Sequence, residues 1–226
     1  MAGETSVAQA FFNPTSPFGS LTNWEPQTEN PSNSRQRAQA LGSDGDEIAA
    51  QTFDLRNSVT ATYVAKSSSA AIPKGGAVLN GYHVDTIQVQ YVNNDFVRMT
   101  LNGHKHSGSN HNTCRTYTGS LATVGVLFGC PASPLGLVIP TGAGVRSFTY
   151  TLEVNHVDEA GSQGNQLKGD NYDGKETVEV DLCDSGSISA DTGWTLMTDG
   201  HNRGNTIAEA STATAEHHLA HDGSNS

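Results

Sequence analysis

The stretch from Tyr82 to His106 constrains this chain more than any other, because it reads as one long β-hairpin. Ile87, Val89 and Tyr91 are apolar and alternate with Gln88 and Gln90, the period of a strand with one buried face. The phase breaks at Asp85 and Thr86, where one extra residue in a bulge would re-aim the strand. Asn93, Asn94 and Asp95 supply a polar turn, and Phe96 to Leu101 forms the returning arm. A two-stranded hairpin is marginal alone, so further strands must cover its apolar side.

The rest of the chain supplies them. Strands are predicted at Ile48 to Leu55, Val59 to Val64, Val145 to Val157, Glu176 to Leu182, Trp194 to Thr198 and Asn205 to Leu219, and Ala77 to Leu79 leads into the hairpin. In Val145 to Val157, Phe148, Tyr150, Leu152 and Val154 share one face; in the next strand Val178, Val180 and Leu182 do. Tyr117 to Phe128 places Tyr117, Leu121, Val124 and Phe128 at helical spacing, which predicts one short helix. Ser34 to Leu41 reads as two further helical turns, and Asp158 to Gly174 as a polar loop. Strands do not alternate with long helical runs, so the fold class is mainly β, an antiparallel sandwich or barrel.

Three regions follow. Residues 1–45 form an extended, Pro-rich N-terminal arm, residues 46–219 the β domain, and residues 220–226 a frayed tail. The arm carries Phe11, Phe12, Phe18 and Trp24 without periodicity, and reads either as a flexible leader or as a segment that docks into pockets on a neighbouring subunit. On that reading its aromatics are buried only in an assembly, and deleting residues 1–45 leaves the β domain folded.

The 226 residues carry a net charge of -11, which disfavours a broad phosphate-binding surface and hence sequence-specific nucleic-acid binding. Cys114, Cys130 and Cys183 form neither a disulfide framework nor a zinc knuckle. The first residues lack a signal-peptide pattern, and Leu121 to Ile139 is too broken by Gly and Pro to span a membrane.

Catalytic machinery is not assigned. His104 and His106 share strand parity and point the same way, with His111 as a third candidate metal ligand; a polar loop rich in histidine explains the run without an ion. His217 and His218 alternate in direction and cannot share a metal as strand residues. Cys114 beside Arg115 is a weak thiol-enzyme signal, and Ser120 and Ser187 lie outside any nucleophile elbow. Asp158, Glu159, Asp170, Asp173, Glu176, Glu179 and Asp181 read as an acidic surface, and 170–174 departs from calcium-loop spacing. No catalytic, cofactor-binding or metal residue is therefore expected, and no cofactor.

The Pro-rich arm, the two-sided strands NGYHVDTIQVQYVN, SFTYTLEVNHVD and KETVEVDL, and the acidity together resemble a virion structural protein of tailed bacteriophages, most like a tail tube subunit. The resemblance is one of layout across Ile48 to Leu219. It implies a non-enzymatic, self-assembling chain made in the host cytoplasm. Its partners would be itself and other virion proteins, with no membrane involved, and its copies would close stacked rings around an acidic lumen for DNA passage. A capsid decoration protein or a fibre module shares the layout. The alternatives from other classes are a carbohydrate-binding β-sandwich, stacking sugars on Trp24, Trp194, Tyr82, Tyr91 and Tyr172, and a metal-dependent hydrolase using His104.

Overall fold

The computed structural model describes residues 16–106, 114–139, 144–160, 166–182, 188–198, 211–220 and 222. Eleven strands occur among them: β1 (Trp24–Leu41), β2 (Glu47–Ala65), β3 (Val78–Leu79), β4 (Tyr82–Val92), β5 (Arg98–His106), β6 (Leu137–Val138), β7 (Val145–Ala160), β8 (Gln166–Leu182), β9 (Ser189–Ala190), β10 (Thr195–Thr198) and β11 (Ser211–Leu219). Nine form one antiparallel sheet in the order β1-β2-β5-β4-β7-β8-β11-β10, with β3 beside β4, and β6 pairs with β9 in a small second sheet. The molecule is thus mainly β and sandwich-like, and the large sheet does not close into a barrel.

Alternation decides which face of the large sheet is buried. Ala61, Tyr63, Met99, Leu101, Ile87, Val89, Tyr91, Phe148, Tyr150, Leu152, Val178, Val180 and Leu182 form the core. Their strand neighbours Gln88, Gln90, Glu153 and Glu179 are exposed. The core is capped by the segments between β3 and β7, through Val124 and Leu137, and by Phe18, Trp24 and Ile188.

The expected helix at Tyr117 to Phe128 is absent. Its backbone bonds run sideways to another segment: Ile72 N–H donates to Ala122 O, Val124 N–H to Ala70 O and Gly75 N–H to Tyr117 O. Gly125 sits at a φ of 71°, outside helical space, and a side-chain carbon on Gly119 would collide with the Tyr150 hydroxyl. Close docking onto the sheet outweighs a helical spacing already weakened by two glycines. Ser34 to Leu41 is likewise not helical but the outer half of β1, paired with β2 apart from a bulge at Arg35.

The arm contributes more to the body than expected. Phe18 and Trp24 are buried in this chain's own core, and Trp24 Nε1 donates to Ala71 O at 2.7 Å. Burial of these two aromatics therefore needs no neighbour, and removing residues 1–45 would strip both from the core together with β1. Phe11 and Phe12 lie outside the described residues.

Two hairpins outrun the sheet. The β2–β5 pairing ends at Arg56↔His106, while β1–β2 continues to Leu41↔Glu47. The β4–β7 pairing ends at Thr86↔Glu153, while β7–β8 continues to Ala160↔Gln166. Because β4 and β5 are antiparallel, both ribbons leave from the same end of the sheet, the end at which β4 begins and β5 finishes. The polar loop expected at Asp158 to Gly174 is in large part the second ribbon. The described side chains of the first ribbon are exposed on both faces and the inward face of the second is polar, through His156, Asp158 and Asn171, so no apolar alternation marks the ribbons' outer strands in the sequence.

Candidate functional site

Two register shifts build a polar cluster at that end. In β4 the pairing jumps from Val84↔Gly103 to Thr86↔Asn102, leaving Asp85 as the extra residue of the bulge that the phase break predicts. In β8 it jumps from Asn155↔Asp173 to His156↔Asn171, leaving Tyr172 extra. His83 is the register partner of His104, and His106 follows two residues on with the same parity.

Four imidazoles and two carboxylates meet here. Asp85 takes His83 Nδ1 at 2.8 Å and His104 Nδ1 at 2.7 Å. Asp158 takes His156 Nε2 at 2.6 Å and His106 Nε2 at 2.8 Å, with His104 Nε2 at 3.7 Å. Asn171 Oδ1 lies 2.7 Å from His83 Nε2 and 2.8 Å from His156 Nδ1. The amide nitrogen of Asn171 donates to Gly76 O and Arg115 O, so its oxygen must face the rings. His83, His104 and Asn171 are buried, and the His83 and His156 rings lie against each other, tilted by 35°, with centroids 4.1 Å apart.

Burial pushes the Asp85 carboxyl up, but the His104 and His83 hydrogen bonds outweigh that and hold it well below the usual carboxylate range. Asp158 behaves alike: burial opposes ionisation, and contacts with His104, His156 and His106 drive its pKa far down. Burial works against protonation of His104, yet the Asp158 and Asp85 carboxylates beside it raise its pKa overall. Of the two, Asp85 is within hydrogen-bond range; Asp158 acts on His104 as a nearby charge. Arg56 Nη2 stands 3.8 Å from Asp85 and adds positive charge at the rim.

The structure therefore brings His104 and His106 together, as their parity requires, whereas His111 lies outside the described residues. Sequence reasoning missed His83, Asp85, His156, Asp158 and Asn171. A signal was present: the triplet His-Val-Asp occurs twice, at 83–85 and 156–158, and in each copy the histidine bonds the aspartate two residues on. By sequence Asp158 reads as acidic surface, and only the approach of β5 to β7 shows that His104 and His106 face it.

No protein-family model matches this chain, and no curated protein is significantly similar to it in sequence.

Glu176, also expected on the surface, is fully buried. Its carboxylate accepts from Ser120 N at 2.8 Å, the Ser120 hydroxyl, Tyr150 OH at 2.8 Å and His217 Nδ1 at 2.7 Å. Ser120, Glu176 and His217 resemble a hydrolase triad in composition only. Both the hydroxyl and the imidazole bond the carboxylate, so no base is aimed at the serine. This group ties the Ser120 segment to β7, β8 and β11.

Cys114 is buried, and its thiol donates to Gly169 O at 3.4 Å. Burial, with Asp170 and Asp158 adding to it, pushes its pKa up to about 11, the opposite of an activated nucleophile. In the native protein at pH 8, Cys114 is expected to react with iodoacetamide far more slowly than after unfolding in urea. Peptide mapping by mass spectrometry checks this, and rapid native labelling of Cys114 would restore the thiol-enzyme reading.

The aromatic platform does not assemble. Trp24 and Tyr91 are in the core, Tyr172 is exposed on the second ribbon, and Lys105 covers the Tyr82 ring at 4.3 Å. Trp194 packs against His217 instead.

Proposed function

We propose that this chain is a structural, self-assembling subunit of a tailed-phage virion, most like a tail tube protein whose copies close a ring. The observation that supports this reading best is the pair of ribbons. Every described side chain from Gln27 to Leu41 and from Ser43 to Ala50 is exposed, on both faces, and Ile48 is 73% exposed near the tip. A two-stranded ribbon that buries nothing is marginal in water, so it needs a partner surface. The second ribbon likewise exposes Val157 and Tyr172.

Edge chemistry favours the same reading. The described sheet begins at β1 and ends at β10, and joining such edges between identical subunits is heterologous and closes a ring when the rotation allows. Pro26 and Pro31 on β1 lack backbone N–H donors, which limits pairing along the first half of that edge. The polar face of the sheet would then line the ring. It carries Glu153, Glu179 and Asp181 against Arg98 and Lys175, with Gln88, Gln90, Thr149 and Thr151 between them. A net negative, uncommitted wall repels phosphates over about a Debye length of 8 Å at physiological salt, which suits passage of DNA.

Rings or tubes of uniform diameter are expected by negative-stain electron microscopy of the purified full chain, together with a high-mass species by light scattering. A chain that stays strictly monomeric at high concentration would overturn the proposal.

A further inference from the structure

We propose that the cluster between the ribbons is a transition-metal site. One divalent ion of the zinc class would be held by the Nε2 atoms of His104, His106 and His156 and by the Asp158 carboxylate. This goes beyond the assembly reading and does not depend on it.

The donor geometry carries the argument. The Nε2 atoms of His156 and His106 already lie on Asp158, and that of His104 faces it. Ligand atoms of His104, His156 and Asp158 are mutually within 4.8 Å, and His106, outside that group, reaches it through its Asp158 contact. A tetrahedral zinc with bonds of roughly 2.0–2.1 Å spaces its ligands roughly 3.4 Å apart, so the Asp158 contacts must open and the His106 ring must swing toward His104 and His156 to complete the set. The opposite ring nitrogens are held as a metal site needs. His104 Nδ1 lies 2.7 Å from Asp85 and His156 Nδ1 lies 2.8 Å from Asn171 Oδ1. Both partners are acceptors, so each ring keeps its proton on Nδ1 and turns the Nε2 lone pair inward.

Three imidazoles and one carboxylate suit zinc, cobalt or nickel better than magnesium or calcium, which prefer oxygen ligands. Four protein ligands make a closed, structural site rather than a catalytic one. Its consequence is mechanical. The β4–β7 ladder ends at Glu153, short of His156 and Asp158, so an ion would cross-link β5 to β7 where no ladder joins them, at the base of both ribbons. Cys114 is near His83 and His156 but its thiol is committed to Gly169 O, so it is left out of the donor set.

The test uses the full chain without a polyhistidine tag, stripped with a chelator, dialysed against zinc or cobalt and analysed by elemental mass spectrometry. About one ion per chain is expected, with a rise in Tm on adding Zn²⁺ that Mg²⁺ does not reproduce. Cobalt should give the visible spectrum of a tetrahedral nitrogen and oxygen site without a thiolate charge-transfer band. His156→Ala and Asp158→Asn should lose the ion, Asp85→Asn should bind about 10–100-fold more weakly as an outer-shell change does, and Cys114→Ala should bind normally. Wild-type chain that takes up no zinc or cobalt and shows no Tm change overturns the proposal. So does full-affinity binding by His156→Ala, or a thiolate band in wild-type chain. If the variants fail to fold, the wild-type stoichiometry and spectrum still decide.

Discussion

Excising the outer half of the β1–β2 ribbon should abolish assembly and leave the body folded. Ser34 and Arg56 are register partners, so residues 35–55 can be replaced by Asn-Gly, a two-residue turn that closes the shortened hairpin. The cut keeps Trp24, all of the β2–β5 pairing, and Arg56 beside Asp85. What it removes includes the Arg37–Glu47 pair at 2.7 Å, which is exposed and contributes little to stability. Strand content by circular dichroism and Tm should stay close to the full chain, while high-mass species disappear from light scattering and micrographs. If the shortened chain assembles as readily, the ribbon is not the contact. If it unfolds, the ribbon supports the body in a way its exposure does not reveal.

Replacing Glu176 by Leu should be among the most damaging single substitutions in the chain. The new side chain is similar in size but leaves the buried Tyr150 hydroxyl without its acceptor and removes the acceptor of the part-buried Ser120 N–H. An orphaned buried donor costs about 1–3 kcal/mol, and losing the charged acceptor of Ser120 and His217 adds to this, so a total of roughly 3–5 kcal/mol is expected. For a chain of this size that is a fall in Tm of about 10 °C. Glu176→Gln keeps one acceptor oxygen and should fall between. Glu179→Leu, on the exposed face of the same strand, should change stability by no more than about 0.5 kcal/mol. Urea unfolding below the assembly concentration measures all three. A Glu176→Leu chain within about 1 kcal/mol of wild type would mean that the donors find other partners, against the rule that buried polar groups without an acceptor are costly.

Glu176 also shows where sequence reasoning stops. Its parity with Val178 and Val180 placed it on the buried face, yet its charge argued for the surface, and only the donors of Ser120, Tyr150 and His217 settle the conflict. The same holds for Asp158, whose partners come from β5 and β7 and lie 52 and 2 residues away.

What the sequence determined by itself was whatever a single strand can encode. The alternation in β4, β7 and β8 dictated which residues face the core, because a strand with one wet face must repeat every two residues. The break at Asp85 dictated a bulge, since no other local event shifts that phase by one. The parity of His104 and His106 placed them side by side. The tertiary structure decided the rest. Tyr117 to Phe128 gave up a helical spacing because its backbone found partners at Ala70, Ile72 and Gly75. The outer half of β1 and the start of β8 carry no apolar alternation, because the first is exposed on both faces and the second turns polar residues inward, so these two strands were invisible until paired. The four-histidine cluster exists only because β5, β4 and β7 align His104, His83 and His156 at one end of the sheet. That alignment is a matter of register between strands, and no single strand specifies it.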